Sequence, residues 1–198
     1  DPVVTDDDLL IAGVDFSGGG QAWNVVRFRR GLDARSLPPI RVAGEHTRND
    51  RSAFLSTLAN LLAARTPEKK IAAMFCDSAY GAPYVALLRQ MGYTNVFEVN
   101  FGSTEVPDPH YANMRSYMWG QGREWLPAGA IPVDDHRLEA DLSAPGHHLD
   151  RRDRVVLESK EDMGKRGVAS PDDGEAHHLT FAAPLGPRKR PSPAQKRR

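Results

Sequence analysis

A run of seven residues, apolar except for its final aspartate, places the strongest limit on how this chain can fold. Residues 71–77 read IAAMFCD and lack the alternation of apolar and polar residues that leaves one face of a sheet in water. Such a run is typical of a central strand that is covered on both faces. It therefore predicts a layered α/β domain in which helices lie on both sides of a sheet.

The order of the other elements indicates how the sheet is connected. An apolar run over residues 9–16 ends in Asp15 and a glycine cluster, and looser alternation over residues 22–29 predicts the returning strand of a hairpin. The remaining predicted elements are a strand over 40–46, a helix from 49 or 50 to about 65, the strand over 71–77, a helix over 81–91, a strand over 96–99, helices over 107–125 and 134–142, a hairpin within 145–158, and a last helix from 170 or 171 to about 183. A hairpin followed by alternating strands and helices predicts a mixed β-sheet flanked by helices.

The charge of the chain is unevenly distributed. It has 26 basic and 26 acidic residues, and six of the basic ones lie within residues 187–198, which leaves 20 basic against 26 acidic residues in the body. We predict one domain over residues 1–185 and a disordered basic tail over residues 186–198. No apolar run approaches the roughly 20 residues that span a bilayer, so no membrane partner is expected. An acidic body is unusual for a DNA-binding protein unless carboxylates gather to hold metal ions.

Acidic residues occur at three places that the predicted fold can bring together. Asp15 ends the first strand, Asp77 ends the strand over residues 71–77, and a further group occupies the first turn of the last helix. In that turn, Asp172 and Glu175 share a helix face, which places them better than Asp173 to point at one site. Active sites of open α/β sheets lie at strand ends. The pattern predicts a metal-dependent nuclease, although each acid taken alone is also typical of a turn or a helix cap.

Phosphodiester hydrolysis explains why carboxylates would gather there. Two divalent ions roughly 4 Å apart can stabilise both the attacking and the leaving oxygen. Mg²⁺ and Mn²⁺ prefer carboxylate oxygens and water to thiolates, and the single cysteine, Cys76, excludes a multi-cysteine zinc site. The expected cofactor is therefore Mg²⁺ or Mn²⁺, with two ions bound.

Four segments resemble motifs of the large terminase subunits of tailed phages. Residues 157–182, LESKEDMGKRGVASPDDGEAHHLTFA, resemble the C-terminal motif of that family. GVDFSGGG at 13–20 and CDSAYGAPYVALLRQMGY at 76–93 are similar to its first and second nuclease motifs, and NMRSYMW at 113–119 is similar to a further element. The resemblance spans about residues 9–183. It implies a ribonuclease H-like fold and an endonuclease that cuts concatemers of double-stranded viral DNA during genome packaging, in the host cell cytoplasm.

The resemblance also assigns roles to individual residues. Three catalytic acids of the family match Asp15, Asp77 and Asp172, and the fourth predicted catalytic acid, Glu175, stands where the family commonly has an aspartate. The first three of these are expected to bind the metal ions, with Asp173 as a further metal ligand. Lys160 of the family's glutamate-serine-lysine element and Arg166 of its arginine-glycine element are expected to contact DNA. A third predicted DNA contact, Arg27, follows from its position near the end of the second strand and not from the resemblance. The implied protein partners are the terminase ATPase domain, whose phosphate-binding loop has no counterpart in this sequence, the small terminase subunit and the portal protein.

Two other functions fit the same residues. A Holliday-junction-type resolvase would share the fold and the metal chemistry. A cleavage assay on a DNA junction substrate would distinguish it from a terminase nuclease. GVDFSGGG can also be the phosphate-binding turn of an actin-like nucleotide-binding or assembly module without nuclease activity. Such proteins normally have two lobes, whereas 198 residues leave room for one. A nucleotide-binding assay separates that alternative from a nuclease.

Overall fold

Five strands hydrogen-bond into one mixed sheet at the centre of the domain. The computed structural model describes residues 2, 4–5, 7–19, 22–48 and 50–185. The predicted tail over residues 186–198 lies outside these described residues. The strands of the sheet are β1 (Leu10–Asp15), β2 (Trp23–Arg30), β3 (Ile40–Ala43), β4 (Ile71–Asp77) and β5 (Val96–Val99). Their spatial order is β3-β2-β1-β4-β5.

The pairing of the strands confirms the predicted mixed sheet. β1 runs antiparallel to β2 and parallel to β4, and β5 is parallel to β4. β2 and β3 pair antiparallel, which completes the initial hairpin and its extension. Every residue of β1 is buried, as is every residue of β4 except the partly exposed Ala72. The run over residues 71–77 is therefore an interior strand covered on both faces, as predicted.

Seven helices and a separate hairpin surround this sheet in the described residues. The helices are α1 (Gly44–Arg48), α2 (Ser52–Ala63), α3 (Ser78–Gln90), α4 (Met114–Trp125), α5 (His136–Ser143), α6 (Lys160–Lys165) and α7 (Asp172–Leu179). The hairpin consists of β6 (His147–Leu149) and β7 (Val155–Leu157). None of the helices in the described ranges is long and apolar enough to cross a membrane.

Side chains alternate between the two faces of the sheet and form two cores. On one face, Leu10, Ala12 and Val14 pack with buried residues of α2 and α3. On the other, Ile11 packs with buried residues of α4 and with Leu179 of α7. Because burial of one large apolar side chain contributes about 1.5–3 kcal/mol, these two cores hold both helical layers to the sheet.

Several predicted element boundaries are wrong, each for a local reason. The strand predicted over residues 40–46 ends at Ala43, because buried Asn24 donates to Thr47 Oγ1 (2.9 Å) and ties the following turn, α1, to β2. The helix predicted from residue 107 begins at Met114, because the side chain of Asn113 caps it by accepting from the backbone N–H of Ser116 (2.9 Å). The short helix α6 was not predicted.

The last helix is also shorter than predicted. It covers Asp172–Leu179 and is followed by turns rather than by further helix up to residue 183. Ser170 does not cap it, since the N-cap position is Pro171 and no side-chain cap bond is made there. Instead, Asp141 of α5 accepts from the backbone N–H groups of Asp173 (2.8 Å) and Gly174 (3.0 Å). Two of the free amide groups at this helix end are therefore satisfied by a residue distant in sequence.

Candidate active site

Asp15 and Asp77 come to the same edge of the sheet. Each is the last residue of its strand, and β1 and β4 are parallel neighbours in which Val14 is paired with Cys76. Parallel strands end at the same edge of a sheet, so the two aspartates lie beside each other at that edge. Asp77 also caps α3, where its Oδ1 accepts from the backbone N–H of Ala79 (3.3 Å).

Helix α7 brings further acids to this edge. It packs across β1 and β2, and the approach is close because a β-carbon at Gly13 would overlap the backbone carbonyl of Ala176. At the start of the helix, Asp172 Oδ2 accepts from the backbone N–H of Trp23 (2.9 Å). The carboxylate of Asp172 is thereby oriented by the first residue of β2.

Glu175 is the most enclosed of the acids. Its side chain is fully buried, and its Oε1 accepts from Arg115 Nε (2.6 Å) while Oε2 accepts from Trp119 Nε1 (3.2 Å). Arg115 in turn donates through Nη1 to the carbonyl of Glu158 (2.5 Å). Both carboxylate oxygens of Glu175 are thus held by α4, and the motif residues of α4 and α7 meet through this contact.

The four acids and one lysine influence each other electrostatically. Burial raises the pKa of the Asp15 carboxyl well above its ordinary value, and the negative charges of Glu175, Asp172 and Asp77 raise it further. Burial is also the main cause of the raised pKa of Asp77. Lys160 opposes both shifts, and its Nζ lies 3.7 Å from Asp15 Oδ2. These shifts indicate that Asp15 lies within electrostatic range of the other three acids.

The same charges act on Lys160. Its burial lowers the pKa, but Asp15, Glu175 and Asp172 more than offset that effect, so the pKa is raised and the side chain stays an ammonium ion. The side chain nevertheless keeps 41% exposure. It is a cation at the boundary between the acids and solvent.

The donor atoms suit a hard divalent cation. Asp15 Oδ1 is buried and has no hydrogen-bond partner within the part of the chain that the structure describes. An unpartnered buried carboxylate oxygen costs free energy that a bound cation would recover. In the same part of the chain, no three His, Cys, Asp or Glu side chains already stand in the arrangement of a metal site. The other oxygen of this carboxyl, Asp15 Oδ2, forms an ion pair with Lys160 Nζ (3.7 Å).

Two predicted site residues lie elsewhere, in a buried ion-pair cluster. Arg27 donates through Nε to Asp173 Oδ1 (2.8 Å) and through Nη2 to Asp135 Oδ2 (2.5 Å), and its side chain is 3% exposed. Arg41 Nε also donates to both oxygens of Asp173 (3.0 Å each). The structure therefore places Asp173, predicted as a metal ligand, and Arg27, predicted as a DNA contact, in this cluster rather than with Asp15 and Asp77, and neither is part of the site proposed below. Their charges are neutralised inside the protein, where breaking a buried pair costs about 3–5 kcal/mol.

The third basic residue predicted to contact DNA has a partner on the surface. Arg166 pairs with Glu158 through two hydrogen bonds, from Nε (2.8 Å) and from Nη2 (2.7 Å). It also donates to the carbonyl of Ala144 (3.1 Å), which ties the end of α6 to the segment before β6. Its half-exposed side chain leaves a DNA contact open as a prediction, and Lys160 is the predicted DNA contact nearest the acids.

The predicted site residues did not include four residues that lie close to the acids of α7: Arg115, Trp119, Asp141 and His178. The ring of His178 stacks on Trp119 (centroids 4.0 Å apart, planes 13° apart). His178 Nδ1 donates to the carbonyl of Gly174 (2.7 Å), and burial lowers its pKa to about 4. Asp141, which caps α7, has its pKa raised by burial to about 6. Two signals were available for the residues of α4: the resemblance of NMRSYMW at 113–119 to a family element, and the helical spacing that places Arg115 and Trp119 on one face.

Comparison with solved structures finds the same fold in phage enzymes. The nuclease domain of the large terminase subunit gp2 of bacterial virus Sf6 aligns with a TM-score of 0.64 and 12% identity over 89% of each chain. A lysine-to-alanine variant of that domain with manganese aligns with a TM-score of 0.67 and 12% identity over 91% of each chain. The large terminase nuclease of thermophilic phage G20c with bound magnesium aligns with a TM-score of 0.57 and 16% identity, over 90% of this chain and 83% of that one.

These alignments confirm the resemblance at the level of the fold. The chain has the ribonuclease H-like fold of large terminase nuclease domains, with helices on both faces of a mixed sheet and an additional β-hairpin. No protein-family model and no curated protein sequence matches it. Function therefore has to be argued from the residues at the sheet edge.

Proposed function

We propose that this chain is the nuclease domain of a terminase large subunit, a divalent-metal-dependent endonuclease that hydrolyses phosphodiester bonds of double-stranded DNA. One observation carries the proposal. Asp15 and Asp77 end adjacent parallel strands of a terminase-nuclease fold, and α7 carries Asp172 and Glu175 to the same acidic group. Acids at strand ends are suited to hard-metal phosphate chemistry.

Asp15, Asp77 and Asp172 would hold Mg²⁺ or Mn²⁺, as two ions in our proposal, which supply electrostatic stabilisation of the attacking and leaving oxygens. The unpartnered Oδ1 of Asp15 supports this assignment. Lys160, exposed on one side and near Asp15 on the other, binds an oxygen of the scissile phosphate. Glu175 contributes its negative charge to the acidic group from a fixed, buried position, because Arg115 and Trp119 donate hydrogen bonds to both of its oxygens.

The same role implies the partners of the chain. As part of a large terminase subunit, it would act with an ATPase domain, a small terminase subunit and a portal protein in the host cell cytoplasm. Its substrate there would be concatemeric viral DNA. The Sf6 and G20c proteins, which are large terminase nucleases by name, support this setting.

Replacing one strand-end acid tests the proposal. Asp15→Asn is expected to reduce nicking of supercoiled plasmid in Mn²⁺ by at least about a hundredfold, because the amide cannot replace a carboxylate ligand. Asp153→Asn is a matched control in the β6–β7 turn, where the exposed residue has φ 56°, a conformation that asparagine adopts readily. Equal nicking by the Asp15→Asn variant and the wild type would exclude Asp15 from catalysis.

A further inference from the structure

A pocket of about 390 Å³ opens beside Asp77, between the start of α3 and the loop that follows β5. Its volume falls within the roughly 300–1,000 Å³ of typical small-ligand sites. Asp77 and Lys160 both line it, so it adjoins the acidic group. A molecule whose phosphate lies at Lys160 can therefore extend into this pocket.

Tyr80 forms one wall of the pocket as an exposed aromatic residue with a defined position. It is 57% exposed although it lies in the first turn of α3. Its ring packs against the turn after β1, where a β-carbon at Gly18 would lie only 2.5 Å from Tyr80 Cζ. The ring is supported on one side and open to solvent on the other. Such an aromatic loses little conformational entropy when a flat ligand stacks on it.

The opposite part of the pocket is formed by the loop after β5. The carbonyl of Phe101 accepts from the backbone N–H of Arg115 (3.0 Å), which anchors the loop to α4. The Phe101 ring lies 5.9 Å from Lys160 Nζ. Asn100 is exposed at the rim, and its Oδ1 accepts from the N–H of Gly102 (3.0 Å), which orients the amide. Three aromatic side chains, including the buried Phe16, thus line a single pocket together with one amide, one ammonium group and the carboxylate of Asp77.

We propose that this pocket binds one unpaired nucleotide next to the scissile phosphate, with its base stacked on Tyr80 and its phosphate at Lys160. Aromatic rings beside a cation are the combination that binds single-stranded nucleic acid. Within a paired duplex both faces of a base are covered, so a base reaches Tyr80 only where the strands have separated. The inference rests on the proposed nuclease function and specifies its substrate as DNA that is locally melted at the cut.

Cleavage of matched substrates tests the specificity. One end-labelled duplex is fully paired and the other carries a short mismatched bubble at the same position, both in Mn²⁺. The wild type is expected to have the lower KM on the bubble. Tyr80→Leu keeps apolar bulk without an aromatic face and should lose about tenfold of this preference, within the range for a base on an aromatic ring. Tyr80→Phe should retain it. A wild type without the preference, or a leucine variant that keeps it, overturns the proposal.

A binding measurement separates this inference from the nuclease function itself. The probe is the bubble duplex with the fluorescent adenine analogue aminopurine in the bubble, bound to protein carrying Asp15→Asn. Stacking on Tyr80 should quench the fluorescence at saturation, and adding Tyr80→Leu should remove the quench. If Asp15→Asn still cleaves DNA, the assignment of Asp15 and the other acids as the nuclease site fails. The fluorescence measurement still tests the pocket in that case, because it compares Tyr80 with leucine without relying on cleavage. If cleavage needs Asp15 but the quench is the same with leucine, only the pocket assignment fails.

Discussion

Glu175 belongs to the acidic site, but both of its carboxylate oxygens are already engaged in hydrogen bonds within the protein. It is fully buried, and its two oxygens accept from Arg115 and Trp119. A buried carboxylate is tolerable only when it is paired and hydrogen-bonded. Its negative charge still raises the pKa of Asp15 and Asp77. We infer that it sets the electrostatics of the site, whereas Asp15 offers the open donor atom.

Removing the partner of Glu175 should destabilise the protein more than removing the pair. Arg115→Met leaves a buried carboxylate without its cation and should lower the free energy of unfolding by about 3–5 kcal/mol. The double variant Arg115→Met with Glu175→Leu should recover most of that loss, because an apolar pair needs no compensation. Urea unfolding of both variants provides the measurement. Cleavage should stay impaired in the double variant, and full recovery of cleavage would contradict a role for Glu175 at the site.

Acid should destabilise the fold through its buried histidines. Burial lowers the pKa of His178 to about 4, from an ordinary value of about 6.5. Between these values the unfolded chain holds a proton that the folded chain does not, so stability falls as pH falls below about 6.5. At pH 5 the loss amounts to about 2 kcal/mol for this residue. Burial also lowers the pKa of His177, which acts in the same direction.

Thermal melting in metal-free buffer at pH 7.5 and at pH 5 measures this effect. His178→Phe keeps an aromatic ring to stack on Trp119 and should show a smaller drop in Tm than the wild type. The raised pKa of Asp15 opposes the drop, since a proton on that carboxyl favours the folded state, but it does so equally in both proteins. His46→Phe, at an exposed position in α1, is the control and should melt like the wild type. An equal drop in all three proteins would argue against the histidines as its source.

Helix α7 is unusual among the elements because it is buried along its entire length although five of its eight residues are acids or histidines. All eight residues of DDGEAHHL are buried, including three acids and two histidines. Apart from Ala176 and Leu179, the buried side chains of this helix are polar, and buried polar groups are stable mainly when they have hydrogen-bond partners. Trp23, Arg27, Arg115 and Asp141 provide partners for the three acids and for the helix N-terminus. Within the described residues, the ring nitrogens of His177 have no hydrogen-bond partner. The element is placed by polar contacts from three other elements, β2, α4 and α5, a pattern that is expected where function opposes stability.

The close contact between α7 and β1 should depend on the absence of a side chain at one position. Gly13→Ala puts a β-carbon against the carbonyl of Ala176, and because backbone cannot move aside cheaply, the helix must shift. We expect a loss of about 1–3 kcal/mol in stability and reduced cleavage, since α7 carries Asp172. Urea unfolding and plasmid nicking measure these effects.

The matched control for this substitution lies in α6. Gly164→Ala meets nothing within 4 Å and is expected to be neutral or to stabilise the protein by up to about 1 kcal/mol. If Gly13→Ala proves as well tolerated as Gly164→Ala, then α7 does not rest on β1 as closely as the structure indicates.

At the scale of the whole molecule, the buried charges form two separate groups. The second group of buried charges, Arg27, Arg41, Asp135 and Asp173, is internally neutralised. The acidic edge instead combines Asp15, Asp77, Asp172 and Glu175 with the lysine Lys160 and the arginine that holds Glu175. Like charges at one edge repel each other and destabilise the metal-free protein. Binding of divalent cations at this edge should therefore raise the stability of the whole folded protein.

Mn²⁺ should raise the Tm of the wild type relative to EDTA, because a ligand that binds only the folded state stabilises it. At about a hundred times its Kd the gain is about 2.7 kcal/mol, or roughly 5–10 °C for a protein of this size. Asp15→Asn should melt at a higher temperature than the wild type in EDTA at pH 8, where the carboxylate is the unfavourable form, and gain little from Mn²⁺. Identical melting of the wild type in EDTA and in Mn²⁺ would contradict a metal site.

Local patterns in the sequence were sufficient to predict the sheet and the position of the acids along the chain. Apolar runs that end in Asp15 and Asp77 predict buried strands and strand-end carboxylates, because burial on both faces excludes alternation. Helical spacing likewise indicated that Asp172 and Glu175, rather than Asp173, share one face. These inferences need only neighbours within a few residues, which the sequence shows directly.

Only the tertiary structure decided which charged groups face the site and which form buried ion pairs elsewhere in the fold. Arg27 and Asp173 looked available in the sequence, yet they neutralise one another across 146 residues of chain. Asp141 caps α7 in place of the nearby Ser170, and Tyr80 becomes a pocket wall only because Gly18 lies behind it. The physical reason is the same in each case. Burial and pairing depend on partners brought together by the packing of distant elements, and no local pattern specifies those partners.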